Sequence, residues 1–328
     1  MWSFIARKVL VYIPVYLSII ILLMALLRIK DPVYSYLGKN ASEEQKQQLR
    51  ESMGLDDPFV AQYGRFLRQL ATLDFATESW SQRGRTVGDI IRKSIPPSLS
   101  ITIPTLAASA TISIVIALIS AYFRGRFIDK TLMTLAVLGM SVSYLVYIIF
   151  GQFFGAYMPN NTDFPLKTPF AITGYRPWVP FLSEGADPRN WVVYCLLPVI
   201  IGVVVAIGYD TRFYRAVMVE ESARDYIVTA MAKGASKRKI MFVHMLKNAM
   251  IPIITRVMST LPFLVTGSIL LEMFFRIPGM GFNLISAINA NDFPVIQAFV
   301  AVLSALFIVS VILTDILYAL VDPRVRLS

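Results

Sequence analysis

Arg7-Lys8, then VLVYIPVYLSIIILLMALL over residues 9–27, then Arg28, is the stretch that decides the fold. No charge interrupts the run, which can cross a hydrocarbon core of about 30 Å at about 1.5 Å per residue. It is longer than the apolar core of a secretory signal, and no small-residue cleavage site follows Leu26-Leu27. It therefore reads as a retained membrane helix, with Pro14 tolerated near its start. Working outward, five more runs have this character, at about 98–122, 131–157, 191–209, 250–271 and 296–320. They explain why a chain of 328 residues is 56% hydrophobic and 16% charged, more apolar than a soluble domain. The expected fold class is an all-α integral membrane protein with six transmembrane helices.

Lys and Arg number 31 against 21 Asp and Glu, a net charge of +10. The cations flank apolar runs and are not interleaved with aromatics, which points to membrane-side loops and away from nucleic acid. Arg7 and Lys8 precede the first run; Arg124, Arg126 and Lys130 lie between the second and third. Arg212, Arg215, Arg224, Lys233, Lys237, Arg238, Lys239 and Lys247 lie between the fourth and fifth, and Arg324 and Arg326 follow the last. With six spans all these segments share one side, which the positive-inside rule makes cytoplasmic, both termini included. The loop 158–190 on the other side carries only Lys167, Arg176 and Arg189.

The organisation that follows is a first span ending at 27, an external segment 28–97, a membrane domain 98–320 and a cytoplasmic tail 321–328. Within the membrane domain, the loop 210–249 joins spans four and five. The external segment is too long for its charges to steer topology, and it carries helix signals of its own. Ser42-Glu43-Glu44-Gln45 is a capping box ahead of a helix over 47–53, which Gly54 can close. Asp57-Pro58 opens a second helix through about Leu70. Thr86 caps a third, with Ile90 and Ile91 on its apolar side, and Pro96-Pro97 is expected to end it.

Catalytic signatures are missing from the sequence. There is no G-x-x-x-x-G-K-[ST], no G-x-S-x-G and no H-E-x-x-H. The one cysteine, Cys195, excludes a disulfide within the chain and a thiolate metal cluster, and the one histidine, His244, excludes a His-rich metal site. Neither an enzyme nor a metal centre is expected.

The loop between spans four and five carries the information about function. Val219, Ala223, Tyr226, Ile227 and Ala230 recur at helical spacing and form an apolar face. Gly234 suits a C′ position of positive φ, and Ser236 suits the N-cap of a second helix. That helix opens with Lys237-Arg238-Lys239, three cations opposing its dipole. Anionic headgroups or an acidic partner surface would both explain them, and the apolar face favours a docked partner.

These residues resemble a known family. Asp225-Tyr226-x-x-Thr229-Ala230-x-Ala232-Lys233-Gly234, then His244-x-x-Lys247-Asn248-Ala249-x-Ile251-Pro252, is similar to the EAA loop of ABC importer permeases. The version is that of the oligopeptide, dipeptide and nickel permeases, with the oligopeptide B-type subunit as the nearest pattern. Gly54-Leu55-Asp56-Asp57-Pro58, Glu272-x-x-Phe275-x-x-Pro278-Gly279-x-Gly281, Asp292-Phe293-Pro294 and Asp315-x-x-Tyr318-Ala319-x-x-Asp322-Pro323-Arg324 resemble the same family in the same order.

The resemblance implies a type I importer permease fold in a bacterial inner membrane. It implies partnership with a second permease, two ABC ATPases and an external binding protein, and peptide as cargo. ATP and Mg would sit on the ATPases, with no cofactor in this chain. Asp225, Tyr226, Thr229, Ala230, Ala232, Lys233, Gly234, Ser236, Lys237 and Arg238 would couple to the ATPase. Tyr144, Tyr147, Gln152, Thr266, Ser268 and Glu272 are candidates to line the path, though each also fits packing, interfacial or turn-forming roles. Asp315 in span six fits a buried hydrogen bond or cargo contact. Nickel or another small solute is the alternative cargo, and a membrane scaffold without transport is the alternative class.

Overall fold

The computed structural model describes residues 2–29, 33–37, 42–162, 164–179, 186–260 and 268–321. Their main helices are α1 (Trp2–Leu27), α2 (Glu43–Ser52), α3 (Phe59–Thr72), α4 (Val87–Tyr122), α5 (Phe127–Ser141), α6 (Tyr144–Gln152), α7 (Leu196–Glu221), α8 (Asp225–Ala232), α9 (Leu246–Met258), α10 (Ile269–Phe275), α11 (Met280–Ala290) and α12 (Phe293–Val321). Five stretches are long and apolar enough to cross a membrane: Arg7–Leu27, Val87–Tyr122, Leu196–Glu221, Lys237–Met258 and Phe293–Ile316. Two bent pairs raise the total to seven at most, Phe127–Ser141 with Tyr144–Asn161 at 90° and Ile269–Phe275 with Met280–Ala290 at 76°. The protein is an all-α integral membrane protein. Leu10, Leu22 and Leu135 lie exposed on its helices, as lipid-facing side chains do.

Several helices do not stop where the apolar runs do. Pro96 and Pro97 do not end a helix; α4 runs through them and Pro104 for 36 residues. A proline leaves the carbonyl four residues back without its donor. For Pro104 that carbonyl belongs to Ser100, and it accepts from Trp191 Nε1 at 3.0 Å. Nearby hydroxyls serve further carbonyls of the same helix, Ser94 to Ile90 at 2.6 Å and Ser100 to Pro96 at 2.7 Å. The third apolar run is broken at Val142-Ser143, where α5 meets α6. The fourth starts after a break at Cys195 and continues past 209 to Glu221. The α9 helix closes at Met258, before the fifth run ends.

In segment 28–97 the capping box at Ser42 and Gln45 forms, and Gly54 has φ +63°. Thr86 Oγ1 accepts from the Asp89 backbone N–H and caps α4. Asp57 does not cap α3, because Pro58 takes the cap position and the Asp57 carboxylate pairs with Arg65 at 2.5 Å.

The α7 helix packs along α4 and α5, and α1 along α12. Glycines set these distances. A Cβ on Gly208 would stand 3.0 Å from Ala136 O, and one on Gly202 would stand 2.9 Å from Thr105 Cγ2, the close approach that small residues give membrane helices. Segment 28–97 is anchored at several points. Phe66 of α3 packs with Ile20, Met24 and Ala301. Asp292, fully buried before α12, accepts from Ser79 Oγ at 2.5 Å, Trp80 N at 3.2 Å, Ser81 N at 2.9 Å and Ser81 Oγ at 2.7 Å. At the other end Lys8 of α1 and Asp315 of α12 form an ion pair at 2.9 Å. Asp315 thus has a structural partner, and the tail 322–328 lies outside the described residues.

Candidate functional site

The loop after α7 is built from local signals. Helix α8 ends in a Schellman pair, with Gly234 N–H donating to Met231 O at 2.9 Å and Ala235 N–H to Ala230 O at 3.1 Å. Gly234 has φ +74°, and a Cβ added to it would meet nothing within 4 Å. Its requirement is therefore conformational and not steric. Ser236 Oγ then accepts from Lys239 N–H at 3.3 Å and opens the next turn, as expected. Only Lys237–Lys239 is α-helical there; Ile240–Met245 winds as a wider π turn and leads into α9.

The apolar face of α8 is not offered to a partner. Ile227 packs into a core with Ala117, Leu118, Met218, Met241, Met245 and Ile253, and Ala230 is buried too. This corrects the inference that the face needs an external partner; the chain covers it with α4, α7 and α9. Tyr226 donates to Glu221 Oε2 at 2.6 Å. Burial, and next the Glu221 carboxylate, raise its hydroxyl above the usual tyrosine range, so it stays a donor. The outward face carries Asp225, Thr229, Ala232 and Lys233, with Val228 57% and Met231 54% exposed. Val228 and Met231 were not among the expected coupling residues. Their signal is two apolar side chains three residues apart, out of phase with Ile227 and Ala230.

The neighbouring turn is fixed to the same surface. Arg215 grips Asp129 through two contacts of 2.7 Å, Ser120 hydrogen-bonds the same carboxylate, and Gly125 N–H donates to it at 2.8 Å. Lys237 donates to Tyr122 O at 3.0 Å and stands 4.2 Å from the Tyr122 ring centroid. Lys237 is therefore tied to the end of α4, while Arg238 and Lys239 remain exposed. His244 lies in the π turn, where its carbonyl accepts from Asn248 Nδ2 at 3.1 Å.

The candidate path residues separate. Tyr144 and Ser268 are brought together, hydroxyl to hydroxyl at 3.3 Å, beside a cavity of about 330 Å³. Tyr147 instead donates to Gly139 O at 2.7 Å and bridges the break between α5 and α6. Gln152 Nε2 donates to Ile172 O and Phe274 O, each at 3.0 Å, tying the 164–179 loop to α10. Glu272 does not line a path. It is fully buried and accepts from Ser98 Oγ at 2.6 Å and Phe282 N–H at 3.0 Å, closing the turn between α10 and α11. Thr266 lies outside the described residues.

Two family descriptions match nearly the whole chain. Residues 113–327 match the inner membrane component of binding-protein-dependent transport systems, and residues 1–102 match the N-terminal part of such components. A putative peptide transport system permease of Brucella abortus is 32% identical over 99% of both chains. The glutathione transport system permease of Salmonella paratyphi A is 30% identical over 99% of both. The dipeptide transport system permease of Alkalihalophilus pseudofirmus is 28% identical over 99% of this chain and all of its own length.

Proposed function

Because the chain belongs to the family of inner membrane components of binding-protein-dependent transport systems, it is a permease subunit of an ABC importer, and we propose that it forms half of a peptide channel and couples to ATPase subunits through the loop around α8. The observation that carries this is the two-sided character of α8. One face is packed into the spans, and the other presents Val228 and Met231 to solvent. An ATPase that grips the outer face moves the helix, and the packed inner face passes that movement to α4, α7 and α9. Exposed apolar residues ringed by charge are the composition of a docking surface.

The rest of the complex follows from the division of labour. A second permease completes the channel, two ATPases hold ATP and Mg, and an external binding protein delivers cargo. The loop and both termini face the cytoplasm across the bacterial inner membrane. This chain carries no catalytic group or cofactor of its own. Relatives named for peptide, dipeptide and glutathione transport support peptide as the cargo class.

The test is affinity purification in mild detergent, with uptake of a labelled tripeptide measured in parallel. The wild-type chain brings down an ATPase and a second permease. Val228→Asp with Met231→Asp keeps the second permease, loses the ATPase and takes up peptide at least tenfold more slowly. Recovery of the wild-type chain alone, or uptake of nickel and not peptide, would overturn the assignment.

A further inference from the structure

The fourth apolar run breaks at Asp210, yet α7 continues through that residue to Glu221. Asp210 lies 14 residues after Leu196 and 11 before Glu221, about 21 Å and about 17 Å from the helix ends at about 1.5 Å per residue. A carboxylate is thus held midway along a membrane-crossing helix. Its ion-pair partner among the described residues is Arg256 of α9, with Nε 3.7 Å from Oδ1. That distance exceeds a hydrogen bond, so the two charges attract without being locked together.

The surroundings are unlike those of the buried pairs elsewhere in the chain. The Arg215–Asp129 contact is bidentate and closed by Ser120 and Gly125. The Arg256 side chain is 44% exposed, and it sits 5.9 Å from the Phe213 ring. Arginine is costly against lipid tails, and a side chain 44% exposed beside a carboxylate is placed as one that faces water or polar protein. Both members of the pair line the 330 Å³ cavity, together with Thr105, Ser109, Tyr144 and Ser268. Thr105 Oγ1 is buried and has no hydrogen-bond partner among the described residues. Aliphatic side chains complete the wall. The cavity falls at the lower end of ligand pockets, roughly 300–1,000 Å³, and has their composition of apolar walls with a few polar groups.

We propose that this cavity is a cargo-contact site in which the Asp210–Arg256 pair opens to receive a charged end of a peptide, Asp210 an ammonium or Arg256 a carboxylate. This rests on the permease function above and names the residues that meet its cargo. The hydroxyls of Tyr144, Ser268 and Thr105 address the peptide backbone, and the aliphatic wall accepts varied side chains. The loose pair keeps the desolvation cost low when the cavity is empty, because each charge retains the other. A charged peptide end replaces that attraction with a closer contact to one member of the pair, and its release lets the pair re-form. Binding is therefore weak and reversible, as a conducting path requires.

The experiment uses the full complex with the second permease, the ATPases and the binding protein. Tyr209→Cys places a thiol at the cavity rim, where Tyr209 is half exposed, while Cys195 is buried and stays silent. A hydrophilic maleimide is expected to label this cysteine, and Ala-Ala-Ala to protect it. Asp210→Asn and Arg256→Gln, each in that background, should raise the half-protecting peptide concentration about tenfold. Arg256→Lys should restore protection. Binding-protein-stimulated ATP hydrolysis reports separately on the permease function. Hydrolysis retained with no labelling, or with labelling that peptide does not reduce, overturns the cargo site alone. So does full protection in an Asp210→Asn, Arg256→Gln double variant, which would show that neither charge meets the peptide. Loss of stimulated hydrolysis in the Tyr209→Cys parent, with no ATPase recovered, would overturn the function on which the site rests.

Discussion

Gly234 shows how much a single residue can announce. Its place after an apolar-periodic helix and before Ser236 marks a left-handed turn, and both its φ of +74° and the Ser236 cap are as those residues suggest. Such signals are legible because the hydrogen bonds they satisfy lie within a few residues. A non-glycine residue held in this region costs about 1–2 kcal/mol, and a β-branched one lies at the upper end. Gly234→Val is expected to lower peptide uptake several-fold with an unchanged amount of protein in the membrane. Gly234→Asn, which tolerates positive φ, should transport nearly as well as the parent. Equal uptake by the valine variant would show that the turn has no part in coupling. Asp210 and Arg256 are the opposite case. Asp210 reads as the edge of one apolar run and Arg256 as a lone charge within another, and only the meeting of α7 and α9 brings the two together.

Elements were legible in kind more than in extent. The apolar runs announce helices, but the carbonyls freed by the prolines of α4 are served from elsewhere. The indole of Trp191, far away in sequence, accounts for Ser100 O, and no local pattern contains that information. The anchoring of segment 28–97 is similar. Asp292 precedes a helix and suggests a cap, whereas its carboxylate mainly gathers donors from Ser79, Trp80 and Ser81. Hydrogen bonds to a charged acceptor contribute about 1.5–3 kcal/mol each and do not add fully. Asp292→Asn should therefore cost about 3 kcal/mol. It is expected to lower the thermal midpoint in detergent and to speed trypsin cleavage after Arg83 and Arg85. Unchanged cleavage and midpoint would mean that the other contacts, from Phe66 and from Tyr36 to Ala290 O, hold the segment without it.

At the scale of the molecule, the proposed six-span arrangement puts both ends of the chain and the basic loops on one side of the membrane. A reporter inserted in 164–179 should be active only on the external side, and one inserted after Lys239 only in the cytoplasm. A cytoplasmic signal from the first insertion would require a different number of crossings. The coupling surface was partly legible at this scale. The resemblance names the loop, but the chain itself covers the apolar face expected to need a partner, so the proposed docking falls to Val228 and Met231.

Helix α4 has a further consequence. Its 36 residues make a rod of about 54 Å at about 1.5 Å per residue, well beyond the roughly 30 Å of a hydrocarbon core. One end begins at Thr86, beside the strand-like bridge to Glu78, and the other ends at Tyr122, which holds Lys237. No loop interrupts it, so in the proposed importer one continuous backbone joins the side where a binding protein lands to the side where the ATPases sit. On that proposal the arrival of a load is reported by mechanics, with no diffusing messenger.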